Sequence, residues 1–260
     1  MNDILSLSGL INFLLIFSRT IGITILNPIF SRKEIPYIVK IGISLYLALF
    51  ITDVVTVNIK NYSIPSLTYI MIKEFVIGLI IGFVSYFFFN ALYIAGEFID
   101  MAMGLGIVNV LDIQNNIQVP IMGNFLYIFS ILLFLSVNGH YYFLRAVVDS
   151  YKFLPVGVLK INGNFLQFCI KTFSQIFVIG FKISAPIVIA LLLTDVALGI
   201  LSRTVPQMNV FMVGMPLKVL LGVVTLIIVL PMYLLSLDSL FNKSFKGMYD
   251  IIKIIGGSIK

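Results

Sequence analysis

Glu97 to Gly157, EFIDMAMGLGIVNVLDIQNNIQVPIMGNFLYIFSILLFLSVNGHYYFLRAVVDSYKFLPVG, is the stretch on which the reading of this chain turns. Its first part, Gly104 to Pro120, carries Asn109, Asp112, Gln114, Asn115, Asn116 and Gln118, with no lysine or arginine and with apolar sequence on both sides. Such a segment is either an outside loop or an element lining a cavity between helices. Irregular backbone survives at membrane depth only where protein or water satisfies its polar groups.

Composition places the rest of the chain around it. Of 260 residues, 60% are hydrophobic and 11% charged, against about 25% charged in soluble domains, and the mean hydropathy is +1.11. An all-α, polytopic integral membrane protein is expected, with about six long apolar helices in hairpins. One cysteine, Cys169, rules out an internal disulfide, and one histidine, His140, rules out a histidine metal cluster. The net charge of +6 is spread over loops and reads as topology rather than nucleic-acid binding. No basic segment precedes the first apolar run, so a cleavable signal peptide is not expected.

The runs are Ile4 to Phe30, Tyr37 to Val57, a long one from near Ser66 past Asn90, Ile121 to Val137, Ile170 to Leu201, and Val210 to Leu237. The first two, joined by a short charged turn, form a tight hairpin. Gly78 and Gly82 lie four apart and leave a smooth strip for close helix packing. Asn138-Gly139-His140 reads as a turn or kink, and Pro186 predicts a bend in the fifth run. Residues 238–260 are amphipathic: Phe241, Phe245, Met248, Ile252 and Ile255 share one helical stripe with lysines off it, suited to a membrane surface or a partner. The expected division is 1–153, containing the 104–120 segment, then a helical hairpin at 154–237 and the tail at 238–260.

The candidate functional residues are charges in apolar surroundings, which usually face protein or water. Arg19 lies inside the first run and is expected to snorkel or pair structurally. Glu97 and Asp100 share one helical face and suit either a polar hairpin mouth or acid–base and cation chemistry. Arg145 and Asp149 are spaced to pair. Asp195, Arg203 and Lys218 complete the set, and Lys182 is too far from Asp195 along its helix to pair with it. Arg19, Lys73, Glu74, Lys182, Asp195 and Lys218 are more internal charges than one small chain readily pairs, so the chain is expected to be stable only inside an assembly. The tail and the connector after Asn138 are lysine- and arginine-rich while Gly96–Pro120 has neither, which predicts a cytoplasmic C-terminus.

No HExxH or Walker A loop occurs, and Gly104-x-Gly106-x-x-Asn109 lacks the third glycine of a dinucleotide fingerprint. No catalytic residue, cofactor or metal is expected. Two classes of function fit such a chain: a structural subunit of a membrane assembly, or a small secondary transporter using Glu97, Asp100, Lys182 and Asp195. A transporter of that kind is expected to show a repeat between its halves, and none is found.

The wording of three blocks resembles the FliR family, membrane subunits of the flagellar type III export gate. The first block is matched at Phe17, Arg19, Gly22, Pro28, Phe30, Ile35-Pro36 and Val39. The second is matched at Gly96-Glu97, Met103-Gly104-Leu105-Gly106, Asp112, Val119-Pro120, Gly123, Phe125-Leu126, Asn138-Gly139-His140, Ser150 and Leu154-Pro155. The third is matched at Ala197-Leu198-Gly199, Arg203, Pro206-Gln207, Asn209-Val210-Phe211, Gly214, Pro216, Lys218 and Leu221-Gly222. The resemblance implies a non-enzymatic subunit that forms channel wall and plug with FliP-like and FliQ-like subunits. A FlhB-like protein at the cytoplasmic side and exported unfolded proteins are the further partners implied. The location implied is the lipid of the bacterial inner membrane at the flagellar basal body. It also places the family's plug loop on Gly104–Pro120. There Gly104 and Gly106 permit a tight exit from a helix, and Val108, Val110, Leu111, Ile113 and Ile117 can fill a constriction. Asn109, Asn115, Asn116 and Gln118 can hydrogen-bond water or neighbouring backbone. The chain departs from the family at Asp112-Ile113-Gln114-Asn115, where a proline-fixed turn is lost.

Overall fold

The computed structural model describes residues 6–32, 34–55, 63–106, 120–207 and 209–257. Among the described residues the chain is helical, with no strand: α1 Leu7–Ile25, α2 Tyr37–Val54, α3 Ile64–Met103, α4 Ile121–Ser136, α5 Gly139–Phe153, α6 Gly163–Thr204 and α7 Val210–Gly256. Helices dominate because apolar surroundings leave each backbone group to be satisfied within its own segment. Five of the helices are long and apolar enough to cross a membrane, and α4 with α5, bent by 76° at their junction, form a sixth candidate. The chain is a polytopic membrane protein, as its hydropathy implies. The bend falls at the Asn-Gly-His turn, where Asn138 adopts a left-handed φ of 57°. Asparagine tolerates that region better than most residues.

By its packing the chain divides into two compact units, neither contiguous in sequence. The first comprises Met1–Phe88, Phe134–Thr172 and Phe241–Lys260, and the second Phe89–Leu133 and Phe173–Leu240. Helices α3, α4, α6 and α7 each contribute a segment to both.

In the first unit, α1 and α3 cross at near-backbone contact. A methyl group on Gly78 would lie 3.0 Å from Gly22 Cα and would overlap the carbonyl oxygen of Arg19, while one on Gly82 would come within 2.7 Å of the Ile23 oxygen. The strip expected at Gly78 and Gly82 is thus used, and Gly22 is its partner. The last turns of α7 also belong to this unit. The stripe expected in the tail forms, but as an uninterrupted continuation of α7, since nothing near Leu237-Asp238-Ser239 breaks a helix. Phe241, Met248, Ile252 and Ile255 are buried. Phe241 and Phe245 meet Phe134 at ring distances of 5.3 and 5.9 Å, and Ser244 donates to Ser85 on α3. The chain itself therefore covers much of the surface that the sequence offered to a membrane or a partner.

In the second unit, α3 packs on α4 through Gly96 and Gly123, where an added methyl group on Gly96 would overlap the Gly123 backbone. It packs on α6 at Gly180, where a methyl group would lie 3.0 Å from the Ala91 oxygen. Met103 fills the space beside Gly222 of α7. Pro186, Pro216 and Pro231 lie inside α6 and α7, which continue through them. Large apolar side chains stay exposed on every helix, among them Tyr37, Ile38 and Phe50 on α2, Phe181 and Leu193 on α6, and Ile228 and Leu235 on α7. Apolar surface on this scale marks a lipid-facing or partner-facing protein.

Candidate functional site

Three polar constellations stand out from this apolar scaffold, and each gathers residues distant in sequence. The first surrounds Arg19, the one charged residue of α1. Its guanidinium and the Glu74 carboxylate are both fully buried, with Arg19 Nε donating to Glu74 Oε2 at 2.6 Å. The terminal nitrogens donate to Ser150 Oγ at 3.2 Å and to the Leu154 carbonyl at 3.1 Å. The guanidinium carbon sits 4.1 Å from the centre of the Tyr151 ring. On the other side, Glu74 Oε1 accepts from the Gly157 amide at 2.8 Å, and Tyr151 donates from its hydroxyl to the Ile16 carbonyl.

One ion pair therefore joins α1, α3, α5 and the Leu154–Gly157 turn. Arginine suits the node because its fixed fork of donors satisfies three acceptors at once. Gly157 completes it at a φ of +82°, where a side chain would be strained. The node gives a physical reason for several residues of the wording noted above, namely Arg19, Ser150 and Leu154. Sequence marks Glu74 as an internal acid, but only the crossing of α3 with α1 brings it to Arg19.

The second constellation sits where α3 ends. Gly104 has a φ of +83°; its amide donates to the Met101 carbonyl and that of Leu105 to the Asp100 carbonyl. This pair of bonds is the Schellman closure of a helix, with glycine at the left-handed position. Asp100 also reaches the start of α4, where its two carboxylate oxygens lie 3.2 and 3.1 Å from the Met122 nitrogen. It is 3% exposed, whereas Glu97, one turn earlier, is exposed. The paired acidic face expected from their spacing is therefore split: Asp100 caps a helix and Glu97 faces outward. Of the expected plug residues, Gly104 and Gly106 are described; residues 108–118 lie outside the described residues.

The third is an ion pair between Lys218 on α7 and Asp195 on α6. It lies on the wall of a cavity of about 460 Å³ whose other walls include Met103, Gly104, Leu198 and Met215. Opposite charges here cancel, which leaves a mainly apolar cavity whose polar side chains are this neutral pair and Ser202. The sequence reading did not connect these two residues, because pairing between helices leaves no trace in local spacing. Arg203 lies exposed in the last turn of α6. Arg145 and Asp149 pair as expected at 3.8 Å, and Lys152 and Tyr249 join them at 2.9 and 3.0 Å.

These pairings narrow one expectation. Two of the internal pairs close within the chain: Arg19 meets Glu74 and Asp195 meets Lys218. Lys73 lies 4.4 Å from the centre of the Tyr69 ring, and Lys182 is exposed.

Comparison with known proteins extends over the same residues. The sequence profile of the family described as bacterial export proteins, family 1, matches residues 10–244. The flagellar biosynthetic protein FliR of Bacillus subtilis (strain 168) is 34% identical over 252 residues, covering 95% of this chain and 96% of its own length. That of Escherichia coli (strain K12) is 29% identical over 238 residues, or 90% of each chain. That of Aquifex aeolicus (strain VF5) is 28% identical over 247 residues, or 95% of each.

Proposed function

The chain belongs to the bacterial export proteins, family 1, with FliR proteins among its relatives, and from that premise we propose that it is a non-enzymatic membrane subunit of the flagellar type III export gate. In this reading it forms channel wall and plug together with FliP-like and FliQ-like subunits, with a FlhB-like protein at the cytoplasmic side. Unfolded flagellar components are the cargo. The subunit resides in the bacterial inner membrane at the basal body, with its C-terminus cytoplasmic, in keeping with Lys243, Lys246 and Lys253 near the end of α7. The observation that carries the proposal is the continuity of the family match over residues 10–244 of a chain with five long apolar helices.

The transporter reading loses support in the geometry. Glu97 and Lys182 are exposed, Asp100 is occupied by a backbone amide, and Asp195 is neutralised by Lys218. No solute site gathers the four charges among the described residues.

Within this reading the 104–120 segment closes the resting channel. Deleting Asn109 to Asn116 is expected to leave the assembled complex intact but permeable to ions and small solutes, with export altered. Passive solute uptake by cells carrying the deletion, measured beside recovery of the complex, checks this. A tight membrane with unchanged export in an assembled deletion mutant contradicts the plug assignment.

A further inference from the structure

The end of α7 buries its apolar stripe within the chain and leaves a second face open, and α5 completes that face. Both segments belong to the first unit. Along α5, Phe143, Ala146, Val147 and Ser150 are buried. On the opposite side Tyr141, Arg145 and Lys152 follow at spacings of four and seven, one line along a helix, and all three are exposed. The Phe153 and Tyr249 rings meet at 6.4 Å and the Tyr142 and Phe245 rings at 5.5 Å, which sets the end of α7 alongside α5. Lys246 is exposed, and the Lys253 ammonium lies 5.8 Å from the centre of the Phe153 ring, so the cationic surface extends onto α7. The Lys160 ammonium lies beside Gly257, one turn further on.

The acids here are outnumbered and partly covered. The Asp149 side chain is 16% exposed and accepts from the Tyr249 hydroxyl, while Arg145 and Lys152 beside it stay 70% and 69% exposed. Asp250 is the other acid of residues 139–153 and 241–257, against Arg145, Lys152, Lys246 and Lys253. We propose that this face of α5 and α7 is a docking site for the phosphate headgroups of anionic membrane lipid. Three features point to lipid rather than to an acidic protein. First, α4 carries no charged residue and α5 leaves it at 76°, and an amphipathic helix that follows an apolar span at a steep angle is placed to lie in the interface. Second, Tyr141 and Tyr142 stand exposed at the start of α5, and tyrosines gather at the membrane–water boundary. Third, each lysine or arginine near an anionic leaflet is drawn to it, and the arginine fork matches a phosphate.

The test uses the full chain, purified in mild detergent with whatever proteins accompany it and returned to phosphatidylcholine vesicles. A small fraction of the lipid carries a photoreactive group at the top of one acyl chain, on phosphatidylglycerol in one arm and on phosphatidylcholine in the other. Mass spectrometry then maps the labelled residues. Phosphatidylglycerol is expected to label residues 139–153 and 241–257 about tenfold more than phosphatidylcholine does. Arg145→Gln with Lys152→Gln should lower that ratio severalfold, and so should Lys246→Gln with Lys253→Gln. Equal labelling of these segments by the two lipids overturns the proposal, as does an excess that both double variants leave unchanged. Absence of labelling by either lipid overturns it too, because a protein then covers the face.

Should the double variants fail to insert, the unaltered protein decides through its response to salt. Screening acts over about 3 Å at about 1 M salt, so the phosphatidylglycerol excess should fall toward unity there and return at low salt. An excess indifferent to salt overturns the proposal. Asp149→Asn separates lipid docking from a purely structural role of the cluster, since it breaks the ion pairs yet makes the face more positive. Labelling by phosphatidylglycerol should hold or rise in that variant, and a fall in the inserted protein overturns the proposal.

Discussion

Arg19→Met is expected to destabilise the first unit by about 3–5 kcal/mol, the range for a buried ion pair that loses one partner. Methionine fills most of the space but leaves Glu74 as a buried carboxylate facing no cation, and it strands the Ser150 hydroxyl oxygen and the Leu154 carbonyl. Adding Glu74→Gln should recover part of the loss, because an amide oxygen can still accept from Gly157 and no charge remains. Thermal unfolding of the purified complex measures both steps. A single mutant as stable as the unaltered protein would show that the node contributes nothing, and a double mutant worse than the single would show that Glu74 is not the partner that matters.

Gly78→Val should be nearly as damaging, at about 3 kcal/mol or more, through overpacking against backbone. The added atoms meet the Arg19 carbonyl and Gly22 Cα, neither of which can rotate away as a side chain would. The same crossing positions Arg19 against Glu74, so this variant should also loosen the ion pair. Gly42→Ala on α2 is the matched control: nothing lies within 4 Å of the added methyl group, and alanine is favoured over glycine in a helix by about 1 kcal/mol. Stability of the two variants should move in opposite directions. Equal losses would mean that glycine is needed on these helices for reasons other than contact.

What the residues reveal on their own follows from the range of the forces involved. Hydropathy and periodicity are local, so the six apolar runs, the bend at Asn138-Gly139-His140 and the Arg145–Asp149 pair could be read directly. The Gly78 and Gly82 strip was legible for the same reason, since spacing by four defines one helical face. Partners across helices were not legible. Arg19 with Glu74, Asp195 with Lys218, and Asp100 with Met122 depend on how distant segments cross, and no window of sequence contains both members. Spacing put Glu97 and Asp100 on one helical face at a hairpin mouth, but it could not show that Asp100 is buried against the start of α4 while Glu97 is exposed. The stripe from Phe241 to Ile255 was visible as a pattern, but a pattern says only that something covers it. Here part of the cover is the chain's own α3 and α4–α5 region.

The central claim, membership of an export gate, is tested most directly by isolating the tagged chain from native membranes in mild detergent and identifying what comes with it. FliP-like and FliQ-like proteins are expected in fixed proportion to the chain, surviving further purification as one species. Recovery of the chain as a monodisperse particle by itself, from membranes in which those proteins are present, would contradict the account.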